Sequence, residues 1–443
     1  MNEVAVNTTV ERPFHSGAAV YLSTEGREPE KLSFNIEDYA RINRSFPTEA
    51  GEFAYFCALI YGCDRLLKRD AGNGDRWTRE IAVDIPVTLP SRWRGSAETI
   101  EKMLEFLTGD IWRISFRKQK HPLFGSTFSR TRKDFHKKRK ITGSAVSLFS
   151  GGLDSISGII DWLETNPTKS LVLASTYDAH AENAKADQER LLPKLNSAYP
   201  GRISRFIARS GLQNKGEDIN FRSRSLTFLG NGLLAASFLG KDVSILIPEN
   251  GAIAINYPLS PARSGSLSTR TVHPHFIDLF NQLLRELGFS CKVENPYEFK
   301  TKGEVLASCK NQSFLRSVYE DSVSCGKRGF SRIHWHDKHA AACGHCVPCI
   351  FRQAAVASAS FDEEAFGCTV SDRNRWGTSD ILRPNSDLQT VVDFVKSDID
   401  ADSIWRKMRS NGYLELERKD QYVDLIVRLR TELKGWLASV NLL

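Results

Sequence analysis

From Ser144 onward, short apolar runs alternate with amphipathic stretches, and this alternation constrains the fold more than any other feature. "AVSLF" (145–149), "SLVLAS" (170–175), "RISRFIA" (202–208) and "VSILIP" (243–248) have the length and composition of strands. "SISGIIDWLE" and "SLTFLGNGLLAASFLG" lie between them and carry helical periodicity. Strand and helix in turn predict an α/β chain with a doubly wound parallel sheet, whose ligands sit at the carboxyl ends of the strands. With 443 residues, 41% of them hydrophobic, the chain can bury such a core, and its length suggests two to three domains.

The first of these strands runs into "SLFSGGLDSISG" (147–158). Gly151 and Gly152 remove side chains from the strand-to-helix turn, so backbone N–H groups can approach an anion closely. The helix that follows adds partial positive charge, and Ser150 and Ser155 add hydroxyl donors. Asp154 would repel a phosphate by itself. It makes sense either as the helix cap or as a ligand for the Mg²⁺ that accompanies a nucleotide. The Walker spacing G-x-x-x-x-G-K-[ST] is absent, which excludes a GTPase-type loop.

A second motif follows. Cys325, Cys343, Cys346 and Cys349 are spaced C-x17-C-x2-C-x2-C, as in a closed structural zinc site. An iron–sulfur cluster is the rival, because C-x2-C-x2-C also opens ferredoxin motifs, although their nearby fourth cysteine is missing. His334, His336, His339 and His345 are in range as substitute ligands, but surface or core roles are favoured for them. Cys57, Cys63, Cys291, Cys309 and Cys368 have no ligand spacing and are expected to be inert thiols.

The flanks read differently. Residues 1–143 read as an independent α/β segment, with strands in "REIAVDIPV" and "DIWRISF" and helices in "GEFAYFCALIYGCDRLL" and "AETIEKMLEFL". Residues 117–140 concentrate positive charge, interleaved with Phe124, Phe128 and Phe135. The stretch is either a solvated linker or a docking surface for nucleic acid or protein. Residues 387–443 form a helical tail, where Tyr422, Leu425, Ile426, Leu429, Leu433, Trp436 and Val440 make a packing stripe. Net charge is +7, a modest basic excess. No run is apolar enough to span a bilayer, and the first residues lack a secretion signal, so a cytoplasmic location with reduced cysteines is expected.

S-G-G-x-D-S between strand and helix resembles the PP-loop of the N-type ATP pyrophosphatases. Together with "CGHCVPCIFR" (343–352), it resembles the 7-cyano-7-deazaguanine synthase (QueC) family, with Arg352 matching the arginine after the last cysteine. "PYEFKTKGEVL" (296–306) resembles that family's lysine-bearing segment, with Lys302 matching. "FRSRSLTFLGNGLLAA" (221–236) resembles its P-G-R-N segment, with Arg224 and Ser225 matching. The resemblance covers about residues 146–355 and implies a PP-loop domain over 144–386 that includes a zinc module at 320–355.

It further implies an enzyme that uses ATP and Mg²⁺ to adenylate the carboxylate of a 7-deazaguanine, with Zn²⁺ held by the four cysteines. Ser150, Gly151, Gly152, Leu153, Asp154 and Ser155 would face the phosphates and Mg²⁺. Arg224 and Lys302 would neutralise charge as AMP and pyrophosphate separate. Glu249, Asn250, Arg270 and His273 would lie near the base. The family's segments for that base depart here: "TYDAHAEN" keeps only Tyr177 and His180, and "STRTVHPHF" replaces another. The added flanks resemble those of QueC-like proteins in Qat anti-phage defence systems. Those systems also encode an ATPase, a small partner protein and a TatD-like nuclease. A nucleotide-binding scaffold and a PP-loop tRNA-modifying enzyme remain as alternatives.

Overall fold

The computed structural model describes residues 2–9, 19–36, 47–69, 78–119, 141–178, 180, 184–218, 220–240, 242–260, 270–327, 335–369 and 386–443. One ten-stranded sheet runs through it. The strands are β1 (Asn2–Thr9), β2 (Ala19–Ser23), β3 (Glu30–Ile36), β4 (Glu80–Val87), β5 (Ile111–Lys118), β6 (Ala145–Leu148), β7 (Leu171–Tyr177), β8 (Ile203–Leu212), β9 (Ser244–Leu246) and β10 (Lys292–Glu294). Their order is β10-β9-β6-β7-β8-β3-β2-β1-β4-β5. Pairing is parallel from β10 to β8, antiparallel at β8–β3, β3–β2 and β2–β1, and parallel again through β4 and β5.

The parallel half is wound from both sides. α4 (Leu153–Thr165) follows β6 and α5 (Ala184–Ala198) follows β7. Both pack on the face that carries Ala145, Phe149, Leu171 and Leu173. α6 (Arg224–Leu239) and α8 (Pro274–Glu286) pack on the opposite face, which carries Val146, Leu148, Val172 and Ala174. The strand period of two thus feeds two separate cores. The helices change face because the chain steps from β6 outward to β7 and β8, then returns to build β9 and β10 on the other side of β6. Right-handed crossovers in opposite directions must use opposite faces.

The first 143 residues do not stand apart as an independent unit. β3 pairs with β8, matching Leu32 to Leu212 and Ile36 to Ala208, so the N-terminal strands extend the same sheet. α1 (Thr48–Leu66) is apolar nearly all round, which is the mark of a buried helix, and it is buried along almost its whole length against the sheet and α6. Its two acidic residues buried at the ends are partnered. Glu52 accepts from Thr88 N and Trp93 Nε1, and Asp64 pairs with Arg79. α2 (Pro90–Arg94) and α3 (Ala97–Thr108) complete this end of the molecule.

The tail is equally integrated. α12 (Asp387–Lys396), α13 (Ala401–Arg409) and α14 (Lys419–Ser439) share a core with α7 (Gly251–Ile255) and α11 (Val347–Ser358). Tyr422, Leu425, Ile426, Leu429, Leu433 and Trp436 are buried there, and Val440 packs at its edge. α9 (Lys302–Ala307) and α10 (Gln312–Val318) bridge this layer to α4 and α5. Among the described residues, no helix is long and apolar enough to cross a membrane.

Candidate functional site

β6 has β7 on one side and β9 on the other, and the connections leave it in opposite directions. A crevice opens at such a reversal, outside the carboxyl ends of the strands. The glycine turn lies there. Gly151 has φ +84°, in the left-handed region, and a Cβ on it would stand 3.0 Å from Asp187 Cβ on α5. Gly152 N donates to Ser150 Oγ (3.2 Å), and Ser155 Oγ donates to the Gly152 carbonyl (2.9 Å). Leu153 N donates to Ser324 Oγ (3.3 Å), and Val323 N donates to the Gly151 carbonyl (3.0 Å). The N-cap of α4 is Gly152, with no side-chain cap. Asp154 is therefore not the cap, and its carboxylate turns inward instead.

Three elements converge on that carboxylate. Lys302, the first residue of α9, brings its Nζ to 2.6 Å from Asp154 Oδ2. Asn250, the N-cap of α7, donates Nδ2 to the same oxygen at 2.8 Å and to Glu249 Oε1 at 3.1 Å, while its own Oδ1 accepts from Ile253 N. Glu249 is held by Asn295, which accepts from its N–H and donates to its carbonyl. Asp154, Asn250 and Lys302 follow β6, β9 and β10, three adjacent parallel strands, so the sheet delivers all three to one edge. Asp154 is 5% exposed and Lys302 is 3% exposed.

Burial pushes the Asp154 carboxyl up, but the Lys302 charge and the surrounding donors outweigh it and hold the group down at about 2. Burial raises Glu249 well above the usual carboxylate range, and the Asp154 charge raises it further. Two adjacent carboxyls cannot both ionise cheaply, so Asp154 is the one that ionises more readily and Glu249 the one that holds its proton longer. Asp154 Oδ1 is buried and receives no donor from Lys302 or Asn250. A protonated Glu249 or a cation would meet it. The group types gathered here are those that anions and divalent cations seek: a helix start, hydroxyls, one ammonium and an under-coordinated carboxylate oxygen.

Other candidate residues lie elsewhere. Arg224 begins α6, with its guanidinium 6.0 Å from the Phe221 ring. It neighbours Tyr61, whose hydroxyl donates to Asp178 Oδ2 at 2.8 Å just beyond β7. His180 caps that corner, with its N–H on Asp178 Oδ1 and its Nε2 2.6 Å from the Gln213 carbonyl oxygen. None of the described bonds joins Arg224 to Asp154 or Lys302. None of the described bonds joins Arg270 or His273 to Glu249 or Asn250. Arg270 donates to Asn411 Oδ1 and the Phe106 carbonyl, and His273 caps α8 with Nδ1 accepting from His275 N. They sit with the end of α3 and the tail, where Asn411 also donates to the Ile255 and Asn256 carbonyls. The basic stretch falls almost wholly outside the described residues, at 120–140, and so does His334.

The four cysteine sulfurs lie within 4.8 Å of one another. Cys343 and Cys349 are 3.8 Å apart, and Cys346 N donates to Cys343 Sγ at 3.4 Å. Gly344 has φ +85°, as the tight knuckle requires. The cluster could hold a metal ion such as zinc. Among the described residues no histidine belongs to the group, and His345 lies with Nδ1 3.3 Å from the Cys343 carbonyl oxygen. Arg352 is buried beneath the cluster. It pairs with Glu364 and donates to Ser322 Oγ and the Tyr319 carbonyl. Residues 319–325 are thus a strap, with Arg352 at one end, Cys325 of the sulfur cluster at the other, and the glycine turn bonded to Val323 and Ser324. The sequence gives no signal for Ser324 or Asn295 except adjacency to recognisable residues.

The chain matches no protein-family model and no curated protein.

Proposed function

We propose that the chain is a QueC-like, ATP-dependent enzyme of the PP-loop type, which adenylates a 7-deazaguanine-type carboxylate and releases AMP and pyrophosphate. The observation that carries this reading is the S-G-G-L-D-S turn at the reversal of strand order, with Asp154 and Lys302 joined beneath it. A substrate carboxylate oxygen would attack the α-phosphorus of ATP, the bond to the β-phosphate would break, and pyrophosphate would leave. An amine would then attack the acyl carbon, lose a proton and expel AMP. The helix start and Ser150 and Ser155 would orient the phosphates, and Lys302 would balance charge on the departing oxygens. Asp154 Oδ1 is the oxygen that would be offered to Mg²⁺, joined by Glu249 if it gives up its proton, and the ion would neutralise phosphate charge when bound.

The base half departs from the QueC pattern at "TYDAHAEN" and "STRTVHPHF", and the amine of a small partner protein fits that change. The chain would then conjugate a base to protein within an anti-phage defence system, alongside an ATPase and a TatD-like nuclease. The cysteine cluster fits one zinc ion. Zn–S bonds of about 2.3 Å set the sulfurs of a tetrahedron about 3.8 Å apart, whereas a multi-iron cluster needs them spread more widely. One observation favours a scaffold that binds nucleotide without turnover. Lys302 is spent on Asp154, and the Gly152 and Leu153 N–H groups already have serine partners. Incubation with ATP, Mg²⁺, 7-deazaguanine carboxylates and candidate partner proteins, read by mass spectrometry, separates the two. AMP, pyrophosphate and a mass shift on base or partner support the enzyme. Nucleotide binding without AMP supports the scaffold.

A further inference from the structure

The turn that carries Lys302 is held by the tail. Lys302 is flanked by Thr301 and Gly303, and both are bonded to one residue of α14, Glu432. Thr301 Oγ1 donates to Glu432 Oε1, and Gly303 N donates to Oε2 at 3.4 Å. Thr301 is also the N-cap of α9, in a reciprocal capping box with Glu304. Arg428, one turn before Glu432 on the same face of α14, pairs with Glu304 and donates to the Phe299 carbonyl. Six residues before Arg428, the Tyr422 hydroxyl donates to Glu298. One face of α14 therefore grips residues 298–304 at several points. A Cβ on Gly303 would crowd Ser358 Oγ and stand 2.5 Å from Glu432 Oε1, so a larger residue would have to push the Glu432 carboxylate aside. The same face reaches the turn that carries Asn250. Leu425 packs over Gly251, whose N–H donates to the Lys300 carbonyl at 2.8 Å.

We propose that Glu432 is a positioning residue for Lys302, so that the C-terminal helix is a working part of the site rather than an appended layer. Its carboxylate accepts from the residues on both sides of the lysine. It thereby sets the direction in which the ammonium leaves the backbone towards Asp154. Helix α14 itself makes none of the described bonds to Asp154, Asn250 or Glu249, so its influence passes through the 298–304 turn. The inference rests on Lys302 belonging to the functional site, but its geometric core, Glu432 fixing the Lys302 ammonium on Asp154, can be read without any nucleotide.

The test compares Glu432→Ala and Glu432→Gln with Lys434→Ala, an exposed position on the same helix. Acylation of Lys302 by an amine-reactive ester is followed by peptide mass spectrometry on the folded full-length chain. In the parent protein the buried, paired ammonium is protected. In Glu432→Ala its labelling rate rises by about tenfold, because losing half-buried acceptors makes local opening easier. Glu432→Gln, which keeps one acceptor oxygen, lies between, and Lys434→Ala matches the parent. If Glu432→Ala does not fold, Glu432→Gln and Arg428→Ala carry the comparison. Unchanged Lys302 protection in a folded Glu432 variant overturns the proposal. Raised labelling with no AMP formation by any variant or by the parent upholds the positioning role while sinking the adenylating reading.

Discussion

Asp154 and Lys302 are both buried, and each charge is tolerable because of the other. Removing one partner of such a pair costs about 3–5 kcal/mol, because the survivor is left charged and dry. Asp154→Asn is therefore expected to lower the urea midpoint markedly, and Asp154→Asn with Lys302→Met to recover most of it. Neither variant should form AMP. Full turnover by the double variant, measured as pyrophosphate release, would exclude both residues from the chemistry. A second residue-scale expectation concerns His273, which has no exposure to solvent. Burial, with His275 and Arg270 nearby, lowers it from 6.5 to about 3. Its unfolded form therefore binds more protons than its folded form between those values. The stability it contributes is complete above pH 6.5 and is lost as pH falls towards 3. His273→Gln should flatten the acid limb of stability over that window, measured as the denaturation midpoint at each pH. An unchanged acid limb would mean that the ring is not buried neutral.

At the scale of elements, the strap 319–325 joins two sites that the sequence presents as separate. Cys325 belongs to the sulfur cluster, while Val323 and Ser324 bond the glycine turn, 171 residues earlier in the case of Leu153. Chelating the bound metal from the intact protein should speed amide exchange at 323–325 and also at 151–155, because ligand binding and local folding are one equilibrium in such modules. Cys346→Ser should do the same and lose the metal. Faster exchange confined to 325–349, with the turn unaffected, would show that the strap does not couple the two. A folded parent protein containing iron, or no metal, would remove the zinc assignment altogether.

At the scale of the whole molecule, the N-terminal third and the tail are structural partners of the central sheet. Asp64, Arg69, Arg79, Asp110 and Asp218 form a buried ionic network linking α1, β4 and α3 to the segment ahead of α6. A fragment of residues 144–443 would expose the edge of β8 and the face of α6 that α1 covers. It is expected to aggregate instead of yielding a folded monomer, because an open strand edge and a bare apolar face both favour association. A monodisperse, cooperatively melting fragment on size exclusion and calorimetry would restore the independent-domain view.

By itself the sequence determined the parts whose physics is local. The β6–β9 strands, the helices between them, the glycine turn and the four cysteines are all set by periodicity, turn chemistry and ligand spacing within a few tens of residues. Tertiary structure decided what depends on distant pairing. β1 to β3 are polar on one side, and only β3 meets β8 across the chain, with β2 and β1 continuing the sheet from it to β4. Asp154 reads locally as a cap or a metal ligand. Only the arrival of Lys302, 148 residues later, gives it a buried cation to neutralise and withdraws it from the cap. Arg270 and His273 follow Glu249 and Asn250 within one stretch of sequence, yet their described bonds go to the end of α3, the tail and their own helix start, which only folding reveals. The stripe of α14 was legible as packing. Its Arg428–Glu432 face was not, because a charged side chain on a helix reads as solvated until the turn that it holds is folded against it.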